Sequence, residues 1–216
     1  MLISFSGGID STTLVTTAIK NGITPQLVSF SYGSKHNRYE NEAAANIASY
    51  FNLPLHFIDL SQIMVDFKSN LLKTGGEIPE GHYEDSNMAK TVVPGRNMIF
   101  LSILAGLAES LGIKRIGIGV HQGDHAIYPD CRPSFIKAMQ IAINLATDGK
   151  VDDLTAPFLH MDKTDIVNIG LALGVPYRLT RTCYKDQEKA CGKCGSCVER
   201  LEAFALNNAT DPIEYA

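Results

Sequence analysis

Apolar and polar positions along the chain follow two periods. Short apolar runs at Met1–Phe5, Gln26–Ser31 (QLVSFS), Leu55–Leu60 (LHFIDL) and Arg115–Val120 (RIGIGV) have the length of buried strands. Between and after them lie longer stretches with helical spacing. These run from about Thr12 to Asn21, over the alanine-rich Asn37–Phe51, the mostly apolar Asn97–Leu111, Arg132–Thr147, from Asp162 through Leu173, and over Val198–Asn208. Strands alternating with helices of this length predict parallel strands joined by crossovers. The expected fold is α/β, with a doubly wound sheet covered by helices on both faces. Ligands in such sheets sit at the carboxyl ends of the strands. The stretch from Phe67 to Lys90, with Gly75-Gly76, Pro79 and Gly81 and no clear period, predicts a long loop.

Composition narrows the class. The 216 residues suit one main domain with a small appendage, and 45% hydrophobic with 19% charged residues is ordinary for a globular core. The formal net charge of -4 argues against a broad nucleic-acid surface. No apolar run is long enough to span a bilayer, and no basic segment precedes the first apolar run, so neither a membrane span nor a secretory leader is expected. Four of the five cysteines crowd near the C-terminus, which predicts a metal site and a reducing, cytoplasmic compartment rather than a disulfide framework.

The chemistry concentrates at the first strand. Ser6-Gly7-Gly8-Ile9-Asp10-Ser11 lies between a strand and a helix. Two glycines allow close backbone approach to an anion, the helix start supplies free N–H groups and a positive dipole end, and the serines add hydroxyls. Asp10 beside a phosphate calls for a bridging cation, and Mg²⁺ is the natural one. No Gly-Lys-Ser/Thr follows, so this is not the Walker loop.

Further polar groups follow later strands. Lys35 and His36 follow the second strand and are placed to neutralise pyrophosphate, or else form a solvated loop. Arg96 opens the Asn97 helix, where a cation is misplaced unless an anion joins it. After the fourth strand, Asp124 is a second carboxylate able to share a metal with Asp10. Asp130 and Arg132 are candidates for reading a heterocycle and a carboxylate; Asp130 is equally a candidate cap for the Arg132 helix. Cys131 reads as buried packing. Asp162 is a candidate N-cap, and Lys163 behind it is a candidate phosphate or substrate contact. Cys183, Cys191, Cys194 and Cys197 have the short spacing of a closed, structural tetrahedral Zn²⁺ site, with an iron–sulfur cluster as the competitor.

The segment SGGIDS resembles the SGGxDS signature of the PP-loop ATP pyrophosphatases, which cleave ATP between the α- and β-phosphates. Taken with SYGSKH, VPGRNMIFLS, YPDCRPSF, TAPFLHMDKTDI and CYKDQEKACGKCGSCVERLEAF, the chain resembles the QueC family of 7-cyano-7-deazaguanine synthases nearly end to end. The resemblance implies a Rossmann-like fold of the adenine nucleotide alpha hydrolase type over residues 1–180 and a zinc-binding lobe over 181–216. It implies a homodimeric carbon–nitrogen ligase that turns 7-carboxy-7-deazaguanine, ammonia and ATP into the 7-nitrile through an adenylated carboxylate and an amide, without membrane or direct nucleic-acid contact. On this resemblance Phe5, Ser6, Gly7, Gly8, Ile9, Asp10, Ser11, Thr12, Thr13, Leu14, Val15, Lys35 and His36 bind ATP. Asp10 and Asp124 hold Mg²⁺, Arg96, Arg132 and Lys163 contact substrate and phosphate, and the four cysteines hold zinc.

The sequence departs from the family pattern in places. VHQGDHAIYPDCR stands where VNAVDYSGYPDCR is usual, and Arg181 replaces the tryptophan of TWSCY. The competing readings are a variant that stops at the amide, another PP-loop ligase acting on tRNA, a zinc module for nucleic acid, and a regulatory nucleotide site.

Overall fold

The computed structural model describes residues 1–82 and 86–216. Five parallel strands form one sheet: β1 (Leu2–Ser4), β2 (Gln26–Ser31), β3 (Leu55–Asp59), β4 (Arg115–Gly117) and β5 (Asp153–Thr155), in the order β3-β2-β1-β4-β5. The connecting helices are α1 (Ile9–Lys20), α2 (Asn37–Phe51), α3 (Arg96–Ser110), α4 (Pro133–Ala146), α5 (Lys163–Leu173) and α6 (Gly195–Leu206).

The pleat of β1 divides the core. Leu2 joins Val28, Leu101, Leu104, Ile116 and Ile136 on the α3–α4 side. Its neighbour Ile3 joins Leu27, Leu14, Val15, Ile47, Ile166 and Phe204 on the side of α1, α2, α5 and α6. A strand covered on both faces explains why the first residues are apolar without alternation. The doubly wound sheet is as expected, and the strand order reverses between β1 and β4, which opens the crevice where such sheets bind ligands.

Three differences from the sequence reading have physical causes. Helix α1 begins at Ile9, not near Thr12, because Gly7 turns the chain at φ 75° and Gly8 is an extended N-cap. Asp10 and Ser11 therefore lie in the first helical turn. The fourth strand ends at Gly117, although the amide of Ile118 still bonds Thr155 O at 3.0 Å. Beyond it Gly119 presses against α1, where a Cβ would come within 3.1 Å of the backbone of Asp10 and Ser11. The edge strand β5 was not foreseen. It is three residues long and carries an acid, Asp153, which pairs in register with Arg115 of β4 and forms a salt bridge with it.

The expected loop from Phe67 to Lys90 is irregular apart from a 3₁₀ turn over Ser86–Thr91, and its residues 83–85 lie outside those described. After residue 180 the chain crosses to the four cysteines and returns through α6, which packs on α5.

Candidate active site

The segments leaving β1, β2 and β4 surround one cleft at the switch point, closed on the far side by residues 181–184 and the start of α6. Its floor is the N-terminus of α1. The first helical bond is Thr12 N–H to Gly8 O at 3.1 Å, and no side chain caps the helix, so the N–H groups ahead of Thr12 face the cleft. Ser6 and Ser11 place their hydroxyls 3.3 Å apart beside them. Gly7 is required twice. Its φ is 75°, and a Cβ there would lie 2.7 Å from the Ala44 nitrogen of α2. Uncapped N–H groups, hydroxyls and the positive dipole end together form an anion cradle.

The structure separates the nucleotide-binding residues expected from the sequence. Phe5, Ser6, Gly8, Ile9, Asp10, Ser11 and His36 line the cleft, and Gly7 shapes the turn. Thr12 and Thr13 are buried, with their hydroxyls on the carbonyls of Gly8 (2.6 Å) and Ile9 (2.9 Å), while Leu14 and Val15 belong to the core beneath. Lys35 points away, its ammonium donating to the carbonyls of Asn70, Gly75 and Gly76, so it tethers the following loop. Arg132 is exposed, donates to His125 O at 2.8 Å, and is not among the residues lining the cleft.

Asp10 is paired with a cation from another helix start. Lys163 opens α5 behind the Asp162–Asp165 capping box, and its ammonium lies 2.7 and 2.6 Å from the two Asp10 oxygens. It also lies 3.5 Å from Glu199 of α6. Burial opposes the Lys163 charge, but Asp10 and Glu199 outweigh it and hold this ammonium above its ordinary value. Glu199 in turn sits 3.9 Å from His121 Nε2, which is 3.6 Å from Asp124. The amide of Gly123 donates to His121 Nδ1 at 3.1 Å, so the proton is on Nε2, facing both carboxylates. Burial, partly offset by Lys163 and His121, pushes the Glu199 carboxyl up.

Among the described residues, these carboxylates do not converge as three ligands on one point. That suits Mg²⁺, which is ordinarily held by one or two carboxylates together with phosphate oxygens and water. Asp10, Glu40 and Asp124 are acids lining the cleft, and Glu40 lies against His36, which leaves Asp10 and Asp124 as the candidates for it.

Arg96 occupies the opposite wall. The anion that its helix start needs is Asp130, which accepts from Asn97 N–H at 2.8 Å and so caps α3 rather than α4. The guanidinium lies over the Tyr32 ring at 5.9 Å, and among the described residues no carboxylate is within ion-pair distance of it. The nearby Cys131 is buried, as expected, with its thiol pushed up by burial.

The four cysteines behind the cleft wall are buried, with their sulfurs all within 4.8 Å of one another. Cys191 and Cys197 sulfurs are 3.9 Å apart. Tetrahedral zinc with Zn–S of about 2.3 Å requires roughly 3.8 Å between sulfurs. Amides of Lys185 and Cys191 donate to the Cys183 sulfur at 3.4 and 3.3 Å, and those of Lys193 and Cys194 to Cys191 at 3.4 and 3.3 Å. Such N–H···S bonds fit thiolate ligands, so the donor set suits zinc.

A family model described as "Queuosine biosynthesis protein QueC" matches residues 1–208. The chain belongs to the QueC family. Relatives named 7-cyano-7-deazaguanine synthase include that of Marinomonas sp. (strain MWYL1), 46% identical over 99% of this chain and 97% of the relative. That of Hahella chejuensis is 48% identical over 98% and 90%, and that of Caldicellulosiruptor saccharolyticus 45% identical over 99% and 94%. Solved structures of the same fold include a predicted subunit of tRNA methyltransferase from Methanocaldococcus jannaschii, 14% identical with a TM-score of 0.51 over 100% of this chain and 91% of that one. NMN synthetase from Francisella tularensis is 14% identical with a TM-score of 0.50 over 97% and 77%.

The departures of this QueC chain from its family pattern have local explanations. Arg181 donates to the carbonyls of Lys185 (2.9 Å), Gln187 (2.7 Å) and Glu188 (2.8 Å) and stacks on Tyr39 at 4.6 Å. It thus clamps the loop between the first two cysteines as a flat group. His121, where asparagine is usual, supplies the link from Asp124 to Glu199. Glu199 itself was not singled out from the sequence. The signal was its position three and four residues after Ser196 and Gly195, which face inward on α6.

Proposed function

We propose that this chain converts 7-carboxy-7-deazaguanine, ammonia and ATP into 7-cyano-7-deazaguanine. The observation that carries the reading is one cleft in a QueC chain with an uncapped helix start on one wall and, on the other, an arginine that has no ion-pair partner among the described residues. The first cradles the ATP phosphates and the second holds a substrate carboxylate.

A carboxylate is a poor electrophile. Its oxygen attacks the α-phosphorus of ATP, pyrophosphate leaves, and an acyl adenylate forms. Ammonia adds to the acyl carbon, expelling AMP and a proton, which gives the amide. The amide oxygen then attacks the α-phosphorus of a second ATP, releasing pyrophosphate and one N–H proton, and loss of AMP with the remaining N–H proton leaves the nitrile.

In this reading the N–H groups at the start of α1, with Ser6 and Ser11, bind the leaving pyrophosphate. Lys163 holds Asp10 in place beneath it. Mg²⁺, carried on ATP and met by Asp10 or Asp124, supplies charge neutralisation to the phosphates. Arg96 orients the carboxylate toward the α-phosphorus. Zinc on Cys183, Cys191, Cys194 and Cys197 fixes the wall that carries Arg181 to Tyr184. The free cysteines suit a reducing, cytoplasmic setting, and the homodimer rests on the resemblance to the family. Among the described residues no helix is long and apolar enough to cross a membrane.

The test is incubation of the purified protein with Mg²⁺, ATP, an ammonium salt and 7-carboxy-7-deazaguanine, followed by mass spectrometry. The expected products are the nitrile, AMP and pyrophosphate. Amide without nitrile rejects the second activation, and no AMP from zinc-loaded, folded protein rejects the substrate.

A further inference from the structure

His36 ends the loop after β2 and is only 2% exposed, yet it lines the cleft. Its Nε2 lies 3.4 Å from the Glu40 carboxylate. A carboxylate only accepts, so its place beside Nε2 favours the tautomer with the ring proton there and a lone pair on Nδ1. That Nδ1 is buried and has no hydrogen-bond partner among the described residues. A buried acceptor left unpaired is costly, and a ligand donor resolves it. The ring leans on Tyr184, with centroids 5.3 Å apart and planes at 41°. A lone pair backed by a carboxylate repels phosphate, so the pyrophosphate role expected for His36 does not suit this geometry.

We propose that His36 Nδ1 accepts a ring or amino N–H of the heterocyclic carboxylate substrate and so selects its base. The proposal rests on the functional reading above and names the residue that recognises the base. Both ATP and the 7-deazaguanine offer N–H donors. The placement favours the latter, because His36 and Arg96 each border an aromatic ring of one cleft. His36 leans on Tyr184, and the Arg96 guanidinium lies over Tyr32, with all four residues on the cleft. A flat ligand carrying both an N–H donor and an anionic group satisfies both ends at once. Adenine has the donor, but its anion is the triphosphate, which the start of α1 takes. Glu40 is a positioning residue here, because it fixes the tautomer.

Two polar replacements separate recognition from packing. In His36→Asn the amide oxygen can occupy the Nδ1 position. In His36→Gln the amide reaches the Nε2 position and keeps the Glu40 contact, with no acceptor at Nδ1. Titration of 7-carboxy-7-deazaguanine by calorimetry, with α,β-methylene-ATP saturating, reads the base. Titration of α,β-methylene-ATP alone reads the nucleotide. The expected result is that His36→Gln binds the base about 10- to 100-fold more weakly, the equivalent of one lost buried hydrogen bond, while His36→Asn retains most of the affinity. Nucleotide affinity stays unchanged in both.

The proposal is overturned if both variants bind the base like wild type, or lose it equally. It is also overturned if the nucleotide titration weakens instead, which would give Nδ1 to adenine. Wild-type protein that binds the nucleotide but not the base overturns the functional reading and this proposal together. Base binding by wild type without the Gln/Asn split overturns only this proposal.

Discussion

Among the described residues Arg200, on α6, is the largest fully buried side chain, with 0% exposure. Its Nε and Nη2 meet the two Asp211 oxygens at 2.7 and 2.8 Å as a bidentate pair. Nη1 donates to the hydroxyls of Thr180 and Thr182 at 2.8 and 2.9 Å, and Nη2 also to Tyr177 O at 3.2 Å. One guanidinium therefore ties the C-terminal segment to the chain on either side of Arg181, at the cleft wall. Arg200→Met keeps the length and removes every donor. It leaves Asp211, itself nearly buried, with only the Tyr215 hydroxyl and the Ile213 amide.

Breaking a buried pair from one side costs about 3–5 kcal/mol. At roughly 2–4 °C per kcal/mol for a chain of this size, the melting point should fall by about 6–20 °C. Urea unfolding of zinc-loaded protein measures it directly. Asp211→Asn should cost a similar amount, and the double variant less than the sum of the singles by about 1 kcal/mol or more, because the two share one interaction. A loss below about 1 kcal/mol in Arg200→Met, or strict additivity in the double variant, would refute the view that this pair holds the lobe in place.

Gly7→Ala should destabilise by about 2–5 kcal/mol, the sum of a left-handed backbone for alanine and the 2.7 Å approach to Ala44, and should weaken nucleotide binding; urea midpoints and nucleotide titration check both. Glu199, pushed up by burial, keeps its proton in the native state after the unfolded chain has released it near 4.5. Stability should therefore fall as pH rises from about 4.5 through the native value, and Glu199→Gln should flatten that slope in urea midpoints taken with excess zinc. Elemental analysis should find one zinc per chain, lost in Cys194→Ser, and chelation should lower the melting point; iron with sulfide in place of zinc would reject the assignment. Lys163→Met should weaken nucleotide binding and lower stability, since it strands Asp10 beside a partly buried Glu199; wild-type behaviour in both assays would refute the pairing.

Much of this was legible in the order of residues. The apolar runs at the first four strands, the spacing of most helices and the four-cysteine cluster depend on neighbours close in sequence, and those neighbours carry the period. The turn at Gly7-Gly8 was readable because paired glycines between an apolar run and a helical stretch mark a tight turn. The Asp162 cap was readable because a cap bonds its own first turn. Strand β5 was not readable, since its three residues are held by pairing with β4, which lies far away in sequence.

The charges of the site belong to the same class. Sequence alone pointed to Arg96 and Lys163 as cations misplaced at helix starts, and to Asp10 as an acid misplaced beside a phosphate. It could not say what compensates them. That was decided by helices α1 and α5 meeting at their N-termini, by Asp130 reaching α3 instead of α4, and by α6 carrying Glu199 between Lys163 and His121. It also decided that Lys35 turns to a loop while its neighbour His36 turns to the cleft. Local sequence determines which groups need a partner, because capping and periodicity act within a turn or two. The partners come from segments 33 to 153 residues away along the chain, and only packing of the sheet and its helices chooses among them.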